Sequence, residues 1–161
     1  MLALSVDFRW WILLHVLGAF GFVMSHGVSV AVAFRLRKER DRARITELLQ
    51  FSGSSLLWMY VSLGVLLVGG VIAGFKLHVW GRGWIWTALA VLIVMVGEMS
   101  MVARPHYQKI KEAVQLRPSG VPRKSDEELE LLLRSKIALM NTALGFASLA
   151  FILWLMILTP Y

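Results

Sequence analysis

Apolar residues are concentrated in four long runs along the chain, and charged or polar segments separate these runs. The runs cover residues 10–34, 56 to about 77, 84–103 and 137–158. Each run is nearly free of charge and reaches the roughly 20 residues that a transmembrane helix requires. The pattern therefore predicts an all-α membrane protein, built as a single domain that is a four-helix transmembrane bundle.

Basic residues are concentrated in two of the segments between the runs, residues 35–55 and residues 104–136. They are Arg35, Arg37, Lys38, Arg40, Arg42 and Arg44 in the first, and Arg104, Lys109, Lys111, Arg117, Arg123, Lys124, Arg134 and Lys136 in the second. The short turn between the second and third runs contains only Lys76 and Arg82. Because lysine and arginine accumulate on the cytoplasmic side of membrane proteins, both long loops are predicted to be cytoplasmic and both termini outside.

The composition fits a chain that is mostly solvated by lipid. Of its 161 residues 58% are hydrophobic and 17% are charged, and the mean hydropathy is +0.67; soluble domains carry about 25% charged residues. The formal charge of +7 comes from the loops, so it indicates membrane topology and contact with anionic lipid, with no nucleic acid as a partner. The absence of cysteine excludes disulfides, iron–sulfur clusters and thiolate metal sites.

The first long loop contains a helical pattern of its own. Ile45, Leu48 and Leu49 recur at helical spacing among arginines until Ser52 and Gly53. This pattern predicts an interfacial amphipathic segment that is broken at the serine and glycine residues.

The second long loop contains a turn signal followed by a helix start. Residues 118–122 include two prolines and a glycine, which predict a turn. Ser125 and Glu128 then form a capping pattern ahead of a leucine-rich stretch. We therefore expect the fourth helix to begin in the cytoplasm near Asp126 and to enter the membrane around Ile137.

The four histidines are the first candidates for chemistry. His15 and His26 are 11 residues apart in the first run, which places them on one helix face about 16.5 Å apart. His78 lies at the outer end of the second run and His106 just past the inner end of the third. Membrane cytochromes bind b-type haem between histidines of different helices, so the pattern predicts an outer pair, His15 with His78, and an inner pair, His26 with His106.

Each histidine also has a plainer interpretation. His78 and His106 sit where headgroups would solvate them, and His15 and His26 would be neutral imidazoles bonded to a serine or to Glu98. Gly64, Gly70 and Gly74 face the same way as His78. They would either make room for a flat macrocycle or form a small-residue surface for close helix packing.

Glu98 is the acidic residue deep in a predicted span. In hydrocarbon a carboxyl group either takes a proton or pairs with a cation, so Glu98 is a candidate for a proton relay or for a metal ligand, and a protonated acid bonded to a neighbouring helix is the plainer alternative. Met95, Met99 and His106 lie along one stripe of the third helix. Because thioethers with imidazole select copper(I), His26, Glu98 and this stripe form an alternative copper site.

Residues 13–19, with the sequence LLHVLGA, resemble the opening of small bacterial integral membrane proteins of the copper-resistance D-like group. In that group, and in the similar four-helix protoporphyrinogen oxidase, a first-helix histidine is associated with haem or copper. The resemblance implies this role for His15 alone and implies a bacterial inner membrane. The chain departs from the pattern where His26 and Gly27 precede a long arginine-rich loop.

The leading functional hypothesis is a multi-pass inner-membrane protein that binds one or two b-type haems and moves electrons, with a quinone or another membrane redox protein as its partner. The second hypothesis is a protein that handles copper or another cation. The third is a non-catalytic subunit whose glycine faces pack against a partner. Whether the chain forms a homo-oligomer stays open.

Overall fold

A computed structural model describes residues 2–160, with side chains from residue 8 onward. The elements are α1 (Leu2–Leu36), α2 (Arg42–Lys76), α3 (Gly83–Glu98), a π-helical segment (Met99–Ala103), α4 (Arg104–Val114), α5 (Asp126–Leu133) and α6 (Ile137–Leu158). The described chain is 82% helical without strands. Its four apolar helical stretches, Phe8–Leu36, Arg42–Lys76, Gly83–Val114 and Asp126–Leu158, are each long enough to cross a membrane, which confirms the predicted four-span architecture.

The bundle has two distinct ends. The end that carries residues 37–41 and 115–136 is called the loop end, and the end that carries residues 77–82 is called the turn end. Helices α1 and α3 run from the turn end to the loop end, and α2 and α6 run back.

Helices α1 and α2 form an antiparallel pair that is held close by glycines. A Cβ atom added at Gly18 would lie 2.7 Å from the Leu66 Cα, and one added at Gly69 would lie 2.9 Å from the Trp11 carbonyl oxygen. Contacts this short with a backbone leave room only for hydrogen. Small residues at these positions therefore set the distance between the two helices, as is common in membranes.

The four spans meet around a small apolar cluster at the centre of the bundle. Phe22 of α1, Met59 of α2 and Met95 of α3 are buried there, and Leu149 of α6 packs against them. Nearer the turn end, Trp84 and Leu155 join α3 to α6. At least one side chain from each span thus contributes to the central cluster.

A second cluster joins the two long loops at the loop end. Its buried members come from α1, α2, α4 and α5; they are Val32, Leu36, Ile45, Ile110, Ala113, Val114, Leu129 and Leu133. These residues make the two predicted loops a single folded unit, called the loop-end cluster here, which closes one end of the bundle.

Arg42 ties this unit together through several carbonyl and carboxylate oxygens. Its guanidinium donates to Asp126 Oδ1 at 2.6 Å, to the Ala113 carbonyl at 2.8 Å and to the Lys124 carbonyl at 2.9 Å. Because Ala113 lies in the last turn of α4 and Asp126 opens α5, one side chain bridges the end of one helix and the start of another. The planar donor fork of arginine suits this role.

The connection between α1 and α2 is fixed by local hydrogen bonds. Asp41 caps α2 by accepting from the Ala43 backbone N–H at 2.9 Å. The backbone N–H groups of Arg40 and Asp41 donate to Glu39 Oε1 at 2.9 and 3.1 Å. These bonds favour the ionised carboxylate and lower the pKa of Glu39.

The predicted break at Ser52 and Gly53 is wrong, because α2 continues through it from Arg42 to Lys76. The serine hydroxyl groups form hydrogen bonds with backbone carbonyls of the same helix. Ser54 Oγ donates to the Phe51 carbonyl and Ser55 Oγ to the Ser52 carbonyl, both at 2.7 Å. A single glycine inside a helix costs only about 1 kcal/mol. Packing of Ile45 in the loop-end cluster stabilises this extension.

The predicted helix start at Ser125 is confirmed as a capping box with Glu128, but the helix predicted from Asp126 into the fourth span is interrupted at residues 134–136. Helix α5 ends at Leu133 and α6 begins at Ile137. Arg37 Nη1 donates to the carbonyls of Arg134 and Ser135 at 3.1 and 2.6 Å. These bonds give hydrogen-bond donors to two backbone carbonyls at the break. Ser135 Oγ also accepts from the Ile137 N–H at 3.2 Å.

The turn predicted in the second loop is present. The backbone reverses at Gly120, whose φ of 77° is in the left-handed region. An antiparallel bridge pairs Leu116 with Pro122, and the Arg117 N–H donates to the Val121 carbonyl at 2.8 Å.

Replacing Gly18 by alanine tests the close α1–α2 contact. The added methyl group would overlap the Leu66 backbone, so the helices must separate, at an expected cost of about 1–3 kcal/mol. Gly64→Ala is the matched control, because nothing lies within 4 Å of a Cβ there and alanine favours helix. Thermal unfolding in detergent should show a lower midpoint for Gly18→Ala alone; equal midpoints would contradict this account of the packing.

Replacing Arg42 by alanine should loosen the loop end without disrupting the spans. Loss of its charge-assisted bonds should cost about 1–2 kcal/mol, which corresponds to roughly 5- to 30-fold faster tryptic cleavage of the exposed segment around Arg117. Arg44→Ala is the control, since Arg44 is exposed and no hydrogen bond or ion pair of its side chain is found in the described chain. Equal cleavage rates for both variants would refute the role of Arg42.

Candidate functional site

His26 is the most unusual polar side chain inside the bundle. Only 5% of its surface is exposed, and neither ring nitrogen has a hydrogen-bond partner in the described part of the chain. Burying a polar group without a partner costs free energy, and such exceptions need a specific explanation. The expected bond to a serine or to Glu98 is not found.

Helix α6 forms the surface against which His26 lies. A Cβ atom at Gly145 would be 2.5 Å from His26 Nε2 and 2.8 Å from Cε1, so glycine makes room for the imidazole. The ring of Phe146 meets it edge-on, with centroids 6.0 Å apart. The contact between α1 and α6 therefore depends on one histidine and one glycine.

Glu98 has a partner on the same helix α6. With the Asn141 amide oriented so that its nitrogen faces the carboxyl group, Asn141 donates to Glu98 Oε1 and, at 3.1 Å, to the Ile137 carbonyl. Asn141 lies one turn before Gly145. A polar layer therefore runs from His26 past Gly145 to Asn141 and Glu98, at the loop-end side of the central cluster.

Asn141 is a residue of this layer that reasoning from the sequence missed. A signal was present in the sequence, because amides inside membrane helices commonly bond across to a neighbouring helix. What the sequence alone could not provide was the facing residue, since helix periodicity does not indicate which helices pair.

The helix changes geometry directly after Glu98. Residues Met99–Ala103 are π-helical, and the Arg104 N–H donates to the Met99 carbonyl five residues back. Pro105 follows, and proline lacks an N–H and crowds the carbonyl four residues before it, so an ordinary helix cannot pass unchanged. Turns of this kind occur frequently at functional sites.

The methionines of the copper hypothesis do not share one helix face with His106, as a regular α-helix would have placed them. Met95 is 1% exposed in the central cluster, and Met99 packs against that cluster, so both thioethers have apolar neighbours. The π-helical segment inserts extra residues per turn and rotates His106 off the stripe. Among described residues, no group of three or more histidine, aspartate or glutamate side chains could hold a metal ion.

His106 is also buried, with 6% of its surface exposed. Its ring lies edge-on to Tyr107, with centroids 5.6 Å apart. Ile110, four residues beyond His106, and Val32, six residues beyond His26, belong to the same loop-end cluster. Both histidines therefore lie within two helical turns of this cluster, on its side toward the turn end.

His15 lies in the α1–α2 contact. Its Nδ1 is 2.7 Å from the Leu66 carbonyl oxygen. Since a carbonyl only accepts, this bond requires the proton on Nδ1 and leaves the lone pair on Nε2. Carbonyls often orient ligand histidines in this way, so the tautomer suits a ligand, although helix packing explains the bond equally well.

The glycines next to His15 are covered by the protein itself. A Cβ at Gly70 would lie 2.6 Å from His15 Nδ1, and one at Gly74 would lie 3.0 Å from Trp80 Nε1. Close packing is therefore the better interpretation of these two positions. Gly64 differs, because nothing lies within 4 Å of its added Cβ.

His78 lies in the turn after α2, away from the described contacts of His15. Its side chain is exposed, its φ is 54°, and Nδ1 is 3.2 Å from the Lys76 carbonyl. His15 contacts Gly70, which precedes His78 by eight residues, or about 12 Å along a helix. The described contacts thus do not bring the outer pair together.

No protein-family model matches the chain, and no curated protein or solved structure matches it either. The resemblance of residues 13–19 to the copper-resistance D-like group therefore stays a prediction.

Proposed function

We propose that this protein binds haem b inside the membrane and carries electrons, with His26 as a residue that would hold the haem iron. The observation that supports this most directly is the buried imidazole of His26, whose two nitrogens lack partners. A neutral imidazole with a free lone pair is the group that a b-type haem takes from its protein. Haem would supply one-electron chemistry, and the chain supplies the ligand and the apolar surroundings.

His106 is the second ligand in this proposal. It is buried, it belongs to a different helix, and the loop-end cluster joins that helix to the helix of His26. Its helix also continues directly from the π-helical segment, where backbone hydrogen bonding is irregular. The outer pair, His15 with His78, receives less support, because His78 is exposed in the turn and no described contact brings it to His15.

Absorption spectroscopy tests the haem proposal. Protein made with haem available should show a Soret band and, after dithionite reduction, sharp α and β bands. His26→Ala should lose most of this absorption, because it removes the ligand. His78→Ala is the control and should keep it, since His78 is exposed in the turn.

Two results would refute the haem proposal: a colourless wild-type protein, or an unchanged spectrum in a folded His26→Ala variant. Metal analysis of the same colourless sample then examines the copper hypothesis, in which copper should be present in stoichiometric amount and be lost with His26. A sample with neither haem nor metal would favour the non-catalytic subunit.

The proposed orientation places the loop end in the cytoplasm, on the basis of its lysines and arginines. The chain has no cysteine, so an introduced thiol is the sole target for an impermeant maleimide. Gly81→Cys in the turn should react in intact cells, whereas Ser119→Cys in the loop-end hairpin should react only after permeabilisation. Both positions are exposed, so the reverse pattern would refute this orientation.

A further inference from the structure

The carboxyl group of Glu98 is bonded to an uncharged amide, that of Asn141, although a carboxylate inside a membrane span would be expected to pair with a cation. The four predicted spans contain no other aspartate or glutamate. No lysine or arginine of the described chain forms an ion pair with Glu98, whereas the ion pairs at the loop end join residues such as Arg40 and Glu130. An ionised carboxylate without a cation is costly in hydrocarbon, so this group favours the bound proton.

Asn141 is also placed to stabilise Glu98 in its ionised state. Its amide is oriented by the bond to the Ile137 carbonyl, at 3.1 Å one turn earlier in α6, while it also donates to Glu98 Oε1. A donor aimed at the carboxyl oxygen stabilises the negative charge when the proton leaves. The pair can therefore hold Glu98 both with and without its proton, which a purely apolar neighbour could not do.

Few titratable or charged groups lie near Glu98 on the elements that surround it. The titratable or charged groups nearest to it along the elements that surround it are His26 on α1, Arg104 and His106 on its own helix, and Lys136 before α6. Residues 56–75 of α2 carry only Tyr60. Arg104 is six residues toward the loop end, and the π-helical segment fills the interval.

We propose that Glu98 and Asn141 form a reversible proton-binding site inside the bundle. Glu98 carries the proton, and Asn141 is a positioning residue that sets how readily the proton leaves. The site does not depend on haem, because every group in it belongs to α3 and α6.

Dicyclohexylcarbodiimide tests this proposal on the full-length protein in phosphatidylcholine vesicles. The reagent dissolves in the bilayer and adds to a protonated carboxyl group: the acid gives up its proton to a reagent nitrogen and its oxygen bonds to the central carbon, after which the acyl group moves to nitrogen without a leaving group. Mass spectrometry should locate the adduct on Glu98. Glu98→Gln should abolish it.

The pH dependence distinguishes a proton site from a permanently protonated structural acid. Labelling of Glu98 should fall as the pH rises between about 5 and 9, because the ionised form does not react. Asn141→Leu should shift this curve by about one pH unit toward higher pH, since the carboxylate loses its donor. Met140→Leu is the control on the adjacent exposed position and should leave the curve in place.

Three results would overturn the proposal: no adduct on Glu98 at any pH, labelling that is constant across the whole range, or an Asn141→Leu curve identical to that of the wild type. If Asn141→Leu does not fold, the wild-type curve and Glu98→Gln still decide the first two points. A colourless protein with a normal labelling curve would reject the haem proposal and leave the proton site intact.

Discussion

The cost of an unpaired polar group in hydrocarbon is the constraint on which the interior of this bundle depends. Most polar side chains in the spans meet it with a backbone carbonyl. The Ser100 hydroxyl donates to the Val96 carbonyl at 2.9 Å and the Thr142 hydroxyl to the Ala138 carbonyl at 2.8 Å. His15 Nδ1 donates to the Leu66 carbonyl of the neighbouring helix. Among the described residues, His26 has both ring nitrogens fully buried without a partner, and Trp80 and Trp84 each leave one indole N–H in the same state. The same constraint thus accounts for the hydrogen-bonded residues, and it shows His26 as the described residue with two such atoms.

Composition and hydrophobic spacing predicted much of the fold, since the spans depend on length and apolarity. The capping box at Ser125 was predictable because its bonds are local. The break between α5 and α6 was not, because Arg37 lies almost 100 residues away from the carbonyls that it binds. The continuity of α2 through Ser52 was also missed, since packing of Ile45 in a non-local cluster overrides a weak local signal.

The candidate site was harder to predict because it depends on which helices face each other. Sequence spacing placed His15 and His26 on one face of α1, yet the structure gives them different neighbours, with His15 against α2 and His26 against α6. Regular periodicity also failed after Glu98, where the π-helical segment changes the register of His106. Glycines were informative only once the atoms opposite them were known: Gly70 and Gly145 each face an imidazole, and Gly64 faces open space.

Helix α6 connects the two proposed sites physically. It presents Gly145 to His26 and, one turn earlier on the same side, Asn141 to Glu98. The two positions are about 6 Å apart along the helix axis. A displacement of α6 at Gly145 would therefore also move Asn141 relative to Glu98, and a displacement at Asn141 would in turn move Gly145 relative to His26. Such coupling is reciprocal by thermodynamic necessity, so an electron site and a proton site in this arrangement would influence each other without sharing a ligand.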